Sequence, residues 1–283
     1  MKNWHNATRE RPCPVCHHTD WCTASDDGAV AVCHRVESGR PSKGGGWIHW
    51  LGDGSVRIDP EVLRRRREER EATRREESER VARHFALLPA GDEQRRLCAH
   101  LARELGAGAE ALRALDVRWD RGARAAAFPM RNARGLVTGI RYRELGTGRK
   151  WSMRGSHDGL FLPRDGGGGE GPLVVCEGAS DTAAALTLGW RGVGRSSCQC
   201  GGRLLADYIL AEGVHEVAIF ADNDPAGRHG ATALKKILED ALMFRMPFIA
   251  NIYWPSPQFK DLRAALAEKS SLPIFGKTPL VEV

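Results

Sequence analysis

Two short apolar runs in the second half of the chain are each followed by acidic residues and then by a pattern that favours a helix. The stretch "PLVVCEGASD" predicts a buried strand over 173–176 with Glu177 at its carboxyl end, and "HEVAIFADNDPAG" predicts a strand over 217–220 followed by Asp222 and Asp224. Strands that alternate with helices from residue 171 onward indicate an α/β domain, with a parallel sheet flanked by helices. Because parallel strands bring their carboxyl ends to one edge of the sheet, we expect the three acids to lie along one rim.

The predicted acidic rim is typical of a site for a hard cation. Glu177, Asp222 and Asp224, joined by Asp181 from the first turn of a following helix, would repel one another if they stayed ionised without a counter-charge. Mg²⁺ is the expected ion, with Mn²⁺ as its substitute, because it takes few carboxylates, keeps water ligands and completes its shell with substrate phosphates. Two simpler alternatives are that "DNDPAG" is a solvated turn and that Asp181 only complements the helix dipole.

Four of the eight cysteines crowd the first part of the chain, at Cys13, Cys16, Cys22 and Cys33. "CPVC" is a two-thiolate turn of the kind with which zinc ribbons begin. The Asp-Gly pair at 27–28 is a strong hairpin signal, and a turn there places Cys22 directly opposite Cys33 on one sheet face. The four thiolates then form a closed, structural zinc site.

The fourth zinc ligand is the open point of this prediction. A second CxxC is missing, since Val36 stands where its last cysteine would be. His34 or His49 is an alternative to Cys22, and buried thiols without a metal are a further alternative.

Composition divides the rest of the chain. Residues 60–84 hold almost only Arg, Glu and good helix formers, with pairs such as Arg67 and Glu71 spaced to meet on a helix face. We interpret this zone as a solvated helical linker that begins at Pro60, and a nucleic-acid-facing arm is the alternative. The predicted domains are a zinc-binding β ribbon over 1–55, a charged helical linker over 56–84, a basic α+β subdomain over 85–170 and the α/β domain over 171–283.

Charge and hydropathy limit the location and the partners. The formal net charge is +6 with a pI near 9.0, which favours partners that carry phosphate. The sequence has no apolar run long enough to span a membrane and no secretory signal at its amino terminus, so we expect a cytoplasmic protein without a membrane partner.

The acidic motifs resemble those of the Toprim domain, which is shared by bacterial-type primases, topoisomerases and certain nucleases. The matching features are Glu177-Gly with Asp181 four residues later, then Asp-x-Asp in "DNDPAGR", over roughly 171–262. The resemblance implies that the glutamate is a general acid/base or a metal ligand and that the two aspartates bind Mg²⁺. "QFKDLRAAL", with Lys260 and Asp261, is similar to a third Toprim element.

The segment before this domain resembles the corresponding segment of replicative primases. "FPMRNARGLVTGIRYR" predicts two strands joined by a turn at "NARG", followed by a basic loop. The match assigns the nucleic-acid- or nucleotide-binding positions to Arg131, Arg143 and Lys150, with Arg141 as an extra candidate and Trp151 in place of a tyrosine. These side chains are expected to line a groove beside the acidic rim.

The order of ribbon, charged linker, basic segment and Toprim-like domain is similar to that of bacterial, plasmid and phage DNA primases. The resemblance implies DNA-templated RNA primer synthesis on single-stranded DNA from ribonucleoside triphosphates, with Glu177, Asp222 and Asp224 as catalytic residues. A Toprim-type nuclease and a catalytically silent DNA-binding module are the alternatives. Because no helicase domain follows Val283, we expect a stand-alone primase-like protein, or half of a split primase-helicase from a mobile element, with a separate helicase as partner.

Overall fold

A computed structural model describes residues 4–52, 60–166, 171–197 and 200–267. The chain folds as two compact units, with the division between Glu71 and Ala72. Helix α1 (Pro60–Ala86) runs through this division. None of the helices in these described ranges is both long and apolar enough to cross a membrane.

The amino-terminal unit contains a four-stranded antiparallel sheet in the order β1-β2-β3-β4. Its strands are β1 (Trp4–Asn6), β2 (Thr23–Ser25), β3 (Val30–Cys33) and β4 (Trp47–Trp50). Thr23 pairs with Val32 and Ala24 pairs with Ala31, which is the register that the Asp-Gly turn predicts. Gly28 has φ of 66°, a left-handed conformation that glycine adopts without strain. The turn therefore aligns Cys22, just before β2, with the end of β3.

The charged segment forms a single helix, α1 (Pro60–Ala86), and it begins at the predicted proline. Its exposed part has i,i+4 ion pairs, among them Arg67 Nε to Glu71 Oε1 at 2.8 Å. Such pairs support an exposed helix by a few tenths of a kcal/mol each, about 0.2–0.5 kcal/mol.

The expectation that the whole charged segment is solvated is wrong for the last turn of α1. Val81 is fully buried, and Phe85, just beyond the predicted linker, is buried with it. Both pack in an apolar cluster with Ala127, Ile140 and Tyr142. Because two large apolar side chains lie one helical turn apart on the same face, the end of α1, which belongs to the second unit, packs onto that unit's sheet.

The second unit is built on a nine-stranded mixed sheet. Its strand order is β13-β12-β10-β11-β9-β6-β7-β8, and β5 pairs with β6. The strands are β5 (Arg118–Asp120), β6 (Ala125–Arg131), β7 (Val137–Arg143), β8 (Lys150–Ser152), β9 (Leu160–Phe161), β10 (Leu173–Cys176), β11 (Gly192–Arg195), β12 (Glu216–Phe220) and β13 (Ile249–Tyr253). The helices are α2 (Asp92–Leu105), α3 (Ala109–Ala114), α4 (Ala179–Thr187), α5 (Gly202–Glu212), α6 (Pro225–Leu242) and α7 (Leu262–Ala267).

Strands β10, β11, β12 and β13 are parallel, as the alternating sequence pattern predicts. Alternate residues of these strands are buried on opposite sheet faces. Val175 and Ile219 pack with α5 and α6, whereas Val174 and Ala218 pack with α4 and α7. Helices therefore cover both faces and leave the carboxyl ends of the strands open.

The basic segment does not form a sheet of its own. Strands β6 and β7 are the predicted pair joined at "NARG", and β9 pairs on one side with β6 and on the other with β11. Through β9, the basic strands and the acidic strands belong to one continuous sheet. This connection fixes the position of the basic side chains relative to the acidic rim.

Candidate functional site

Four cysteines come together in the amino-terminal unit. The sulfurs of Cys13, Cys16, Cys22 and Cys33 all lie within 4.8 Å of one another. Cys22 Sγ is 3.7 Å from Cys16 Sγ and 3.9 Å from Cys33 Sγ. Tetrahedral zinc with Zn–S bonds of about 2.3 Å requires sulfurs about 3.8 Å apart, and this spacing matches it. The arrangement suggests a zinc site.

The surroundings of the sulfurs fit thiolate ligands. The backbone N–H groups of Arg35 and Val36 donate to Cys33 Sγ at 3.5 and 3.3 Å. The His34 N–H donates to Cys22 Sγ at 3.5 Å, and the His49 ring contacts the Val36 carbonyl at 3.0 Å instead of the cluster. Among the described residues, Cys22 therefore joins the other three cysteines in the cluster.

The acidic residues of the second unit lie where β10 and β12 end. Glu177 follows β10 directly, and its Oε1 accepts from the Asp222 N–H at 3.4 Å. Asp224 caps α6, since its Oδ1 accepts from the Gly227 N–H at 2.9 Å, with Pro225 in the first turn. A Cβ at Gly227 would lie 2.4 Å from the Asp222 carbonyl oxygen, so glycine is needed where the chain turns from strand to helix. The turn chemistry of "DNDPAG" thus holds both aspartates beside Glu177.

Asp181 and Asp261 extend the acidic cluster. Asp181 is buried in the first turn of α4, and its Oδ1 accepts from the Arg263 N–H at 3.2 Å. Asp261 precedes α7, and its Oδ1 accepts from the Ala264 N–H at 2.7 Å. Burial and then the charge of Asp261 raise the pKa of Asp181 to about 6. Since these carboxylates act on one another electrostatically, they form one site.

Burial and mutual repulsion raise the pKa values of the acids in the cluster. Burial raises the pKa of Asp222 to about 6, with Glu177 and then Asp261 adding to the rise. Burial also raises the pKa of Glu177, although the Asp222 N–H and the charge of Arg195 oppose it. Carboxylate oxygens are the donors that hard divalent cations prefer, so the donor set fits Mg²⁺ or Mn²⁺. The oxygens are less closely gathered than the sulfurs, because among the described residues only the cysteine set has all its ligand atoms within 4.8 Å.

A groove beside Glu177 has a basic wall across from this residue. It is lined by Arg141, Arg143 and Lys150 on one side and by Glu177 and Ser180 on the other. The three basic residues share a sheet face because Arg143 pairs with Lys150 and Arg141 pairs with the second residue after Lys150. The guanidinium groups of the two arginines are held in place. Arg141 Nη2 donates to the Ser196 carbonyl at 3.3 Å, and Arg143 Nη2 contacts Glu104 Oε1 at 3.2 Å.

Lys150 and Lys260 place ammonium groups near the acids. Desolvation, with the charge of Arg143 next, lowers the pKa of Lys150. Lys260 Nζ lies 4.0 Å from Asp224 Oδ2. Both lysines therefore lie close to the acidic residues.

Trp151 and Arg131 lie outside this groove. Trp151 is one residue after Lys150, so it points to the other sheet face, where its ring centroid is 5.5 Å from that of Tyr142. Arg131 Nη2 pairs with Asp116 Oδ2 at 2.9 Å and lines a different cleft. The structure therefore brings three of the five basic-segment candidates to the acidic rim.

Comparisons with known proteins bear on the fold. No family model matches the sequence, and no curated protein matches it. The Aquifex aeolicus primase (zinc binding and RNA polymerase domains) is 14% identical with a TM-score of 0.50, over 70% of this chain and 58% of that one. The E. coli primase catalytic core is 19% identical with a TM-score of 0.44, over 62% and 70% of the chains. The primase fragment of the bacteriophage T7 primase-helicase is 17% identical with a TM-score of 0.43, over 59% and 69%.

The structural neighbours are DNA primases. At these identities the likeness shows the fold, which is that of a primase catalytic core with a mixed sheet flanked by helices.

Two residues near the acidic cluster were not among the predicted site residues. Asp261 appeared only within a motif resemblance, and the signal that indicates it is an acid placed, like Asp224, just before a helix that follows a strand. Arg195 is the last residue of the short β11, is buried, and lowers the pKa of Glu177 through its positive charge. No sequence pattern pointed to Arg195, because its proximity to Glu177 arises from the pairing of β10 with β11.

Proposed function

We propose that this protein is a DNA primase that synthesises RNA primers on single-stranded DNA from ribonucleoside triphosphates. The observation that carries the proposal is the groove itself. It is lined by Glu177, which belongs to the acidic cluster that could hold divalent cations, and by Arg141, Arg143 and Lys150, which could hold phosphates. A primase needs both functions within a few ångströms of one another. The primase-like fold supports the proposal.

In this proposal the acidic edge is a Toprim-type site. Glu177, Asp222 and Asp224, with Asp181 and Asp261 behind them, would hold Mg²⁺ or Mn²⁺. The bound ion would neutralise the triphosphate of the incoming nucleotide and make the primer 3′-hydroxyl more acidic. If Glu177 acts as the general base instead of as a ligand, the burial that raises its pKa suits it to accept the proton of that hydroxyl.

The basic wall would position the substrates. Arg141 and Arg143 are fixed by their hydrogen bonds and present guanidinium groups suited to phosphate oxygens. Lys150 adds a compact positive charge beside Glu177, and Lys260 would contact phosphate on the Asp224 side. The cysteine unit would bind zinc as a structural ion and contact the template, and a separate helicase would be the replication partner.

A primer-synthesis assay with a matched pair of lysine variants tests the basic wall. We expect Lys150→Gln to lower primer yield by about tenfold or more, mainly by raising KM for nucleotides, because a charge-assisted phosphate contact is lost. Lys236→Gln, an exposed lysine on α6, is the control and should prime like the wild type. Equal priming by Lys150→Gln and the control would contradict the assignment of the groove.

A plasmid-nicking assay with the wild type and Asp222→Asn distinguishes a primase from a Toprim-type nuclease. A nuclease would nick supercoiled plasmid with Mg²⁺ and no nucleotide, and it would give Lys150 no role with ribonucleotides. We expect no such nicking. Nucleotide-independent nicking that Asp222→Asn abolishes would replace the primase proposal with the nuclease.

A further inference from the structure

A second cleft in the same unit is lined by arginines and shares no residue with the acidic groove. Its walls include Arg131 and Arg134 at the β6–β7 turn, Arg164 after β9, and Tyr208 and Glu212 on α5. Arg134 and Arg164 are exposed, whereas Arg131 is largely buried. The cleft is therefore open to solvent and has a positively charged wall.

The α5 wall of this cleft lies at the opposite end of the parallel strands from the carboxylates. Glu212 ends α5 shortly before β12 begins, and it contacts Arg191, the residue just before β11, at 3.7 Å. Asp222 follows the other end of β12, and a strand of this length spans about 17 Å. The arginine wall is separated from the carboxylates across the sheet instead, because Arg131 ends β6, which is three strands from β10, roughly 14 Å.

Positive charge exceeds negative charge beneath the cleft. The buried carboxylate of Asp116 contacts three guanidinium groups: Arg118 Nε at 3.0 Å, Arg131 Nη2 at 2.9 Å and Arg164 Nη1 at 3.8 Å. Three positive charges thus face one negative charge. Glu212 does not correct this excess, because Arg191 pairs with it.

Arg131 shows the effect of this crowding. Its Nη1 donates to the Gly135 carbonyl at 3.0 Å, so the side chain is fixed in the wall. Burial lowers the pKa of Arg131, and the nearby charges of Arg164 and Arg118 lower it further while Asp116 opposes them. An anion beside Arg131 and Arg164 would relieve this repulsion.

We propose that this cleft is a second phosphate-binding site, separate from the acidic groove. Arg164 and Arg134 supply exposed guanidinium groups that can take phosphate oxygens in pairs, and Arg131 holds the base of the site. The phosphate belongs either to a nucleotide or to the backbone of single-stranded nucleic acid. The site does not depend on the acidic groove being a primase active site.

Calorimetric titration of the full-length protein tests this site. The ligands are ATP and an oligothymidylate, each in buffer without added divalent cations, so that the acidic groove is not loaded with metal. The test variant is the double substitution Arg134→Gln with Arg164→Gln, because both side chains are exposed and their replacement leaves the Arg131–Asp116 pair intact. Arg203→Gln, an exposed arginine of α5, is the matched control.

We expect the double variant to lose about tenfold or more in affinity for one of the two ligands, while the control binds like the wild type. Loss for ATP alone identifies a nucleotide site. Loss for the oligothymidylate, with a salt dependence reduced by about one to two ion equivalents, identifies a backbone site. Unchanged affinity for both ligands, in a double variant whose thermal unfolding matches the wild type, would overturn the proposal.

Discussion

In the absence of a bound cation, ionisation of Asp222 lowers the stability of the folded state. Its pKa in the folded protein is about 6, because of burial and then the charges of Glu177 and Asp261. In the unfolded chain an aspartate has its ordinary pKa of about 3.9. The folded state therefore holds the proton more tightly, so the stability contribution of Asp222 is most favourable below about pH 4 and is lost as the pH rises through 6.

Replacing the Asp222 carboxylate should therefore stabilise the metal-free fold. At about pH 7 without divalent cations, we expect Asp222→Asn to raise the free energy of unfolding of the second unit by about 1 kcal/mol, and near pH 4 we expect no gain. Denaturant titrations at the two pH values measure this, with the exposed Asp240→Asn on α6 as the control. A gain that is the same at both pH values would show that charge repulsion is not its cause.

Cys22 should be essential for the zinc site and the histidines should not. Cys22→Ser removes one of four sulfurs that lie within 4.8 Å of one another, so we expect zinc content to fall well below one ion per chain. His34→Ala and His49→Ala should retain zinc, since the clustered ligand atoms among the described residues are those of the four cysteines and the His49 ring contacts the Val36 carbonyl. Elemental analysis of the purified variants decides this. Zinc loss in His49→Ala but not in Cys22→Ser would show that His49, and not Cys22, is the fourth zinc ligand.

At the scale of elements, the end of α1 is joined to the sheet by a polar network as well as by apolar packing. His84 Nε2 lies 2.6 Å from Asp120 Oδ2, and the Tyr142 hydroxyl donates to the same oxygen at 2.6 Å. Burial alone would raise the pKa of Asp120, but the hydrogen bonds from Tyr142 and then His84 outweigh it and lower the pKa. Asp120 thus contributes stability above about pH 4 that is lost as the pH falls further.

Removing the Tyr142 hydroxyl should weaken this junction. We expect Tyr142→Phe to lower the free energy of unfolding of the second unit by about 1–2 kcal/mol at neutral pH, because a buried carboxylate loses a donor. The loss should shrink at acidic pH, where Asp120 is protonated. Denaturant titration across this pH range measures it, and a loss that is independent of pH would assign the effect to packing instead.

The elements show which parts of the site are encoded locally. Strand ends and turn chemistry predicted that Glu177, Asp222 and Asp224 lie near one another, and the structure brings them together, because each position depends on a few consecutive residues. Successive side chains of β8 point to opposite faces of the sheet, so Trp151 and Lys150 lie on different faces. The motif resemblance did not take this strand geometry into account.

The remaining differences between the sequence-based predictions and the structure come from contacts between distant parts of the chain. Arg131 pairs with Asp116, which has φ of 57° in the turn before β5, and the ladder shifts register at Met130 and Arg131. Arg195 approaches Glu177 only because β10 and β11 pair. Local patterns contain neither the register shift nor the pairing of strands, so these placements could not be predicted.

At the scale of the whole molecule, the two compact units should respond differently to loss of zinc. The cysteine cluster belongs entirely to the amino-terminal unit, and the large apolar clusters belong to the second. We expect a chelator to lower the unfolding temperature of the first unit strongly and to leave the second within a few degrees. Calorimetry of the full chain with and without chelator measures this, and equal shifts of both transitions would contradict independent units.

The second unit combines two kinds of chemistry in one sheet, with the acidic strands and the basic strands joined through β9. We propose that the groove between them is the site of RNA primer synthesis. The most direct measurement is incorporation of labelled ribonucleotides on single-stranded DNA by the full chain, with and without Mg²⁺, for the wild type and Asp222→Asn. We predict short RNA products from the wild type only, and only with Mg²⁺. No product from the wild type, or undiminished product from Asp222→Asn, would contradict the account.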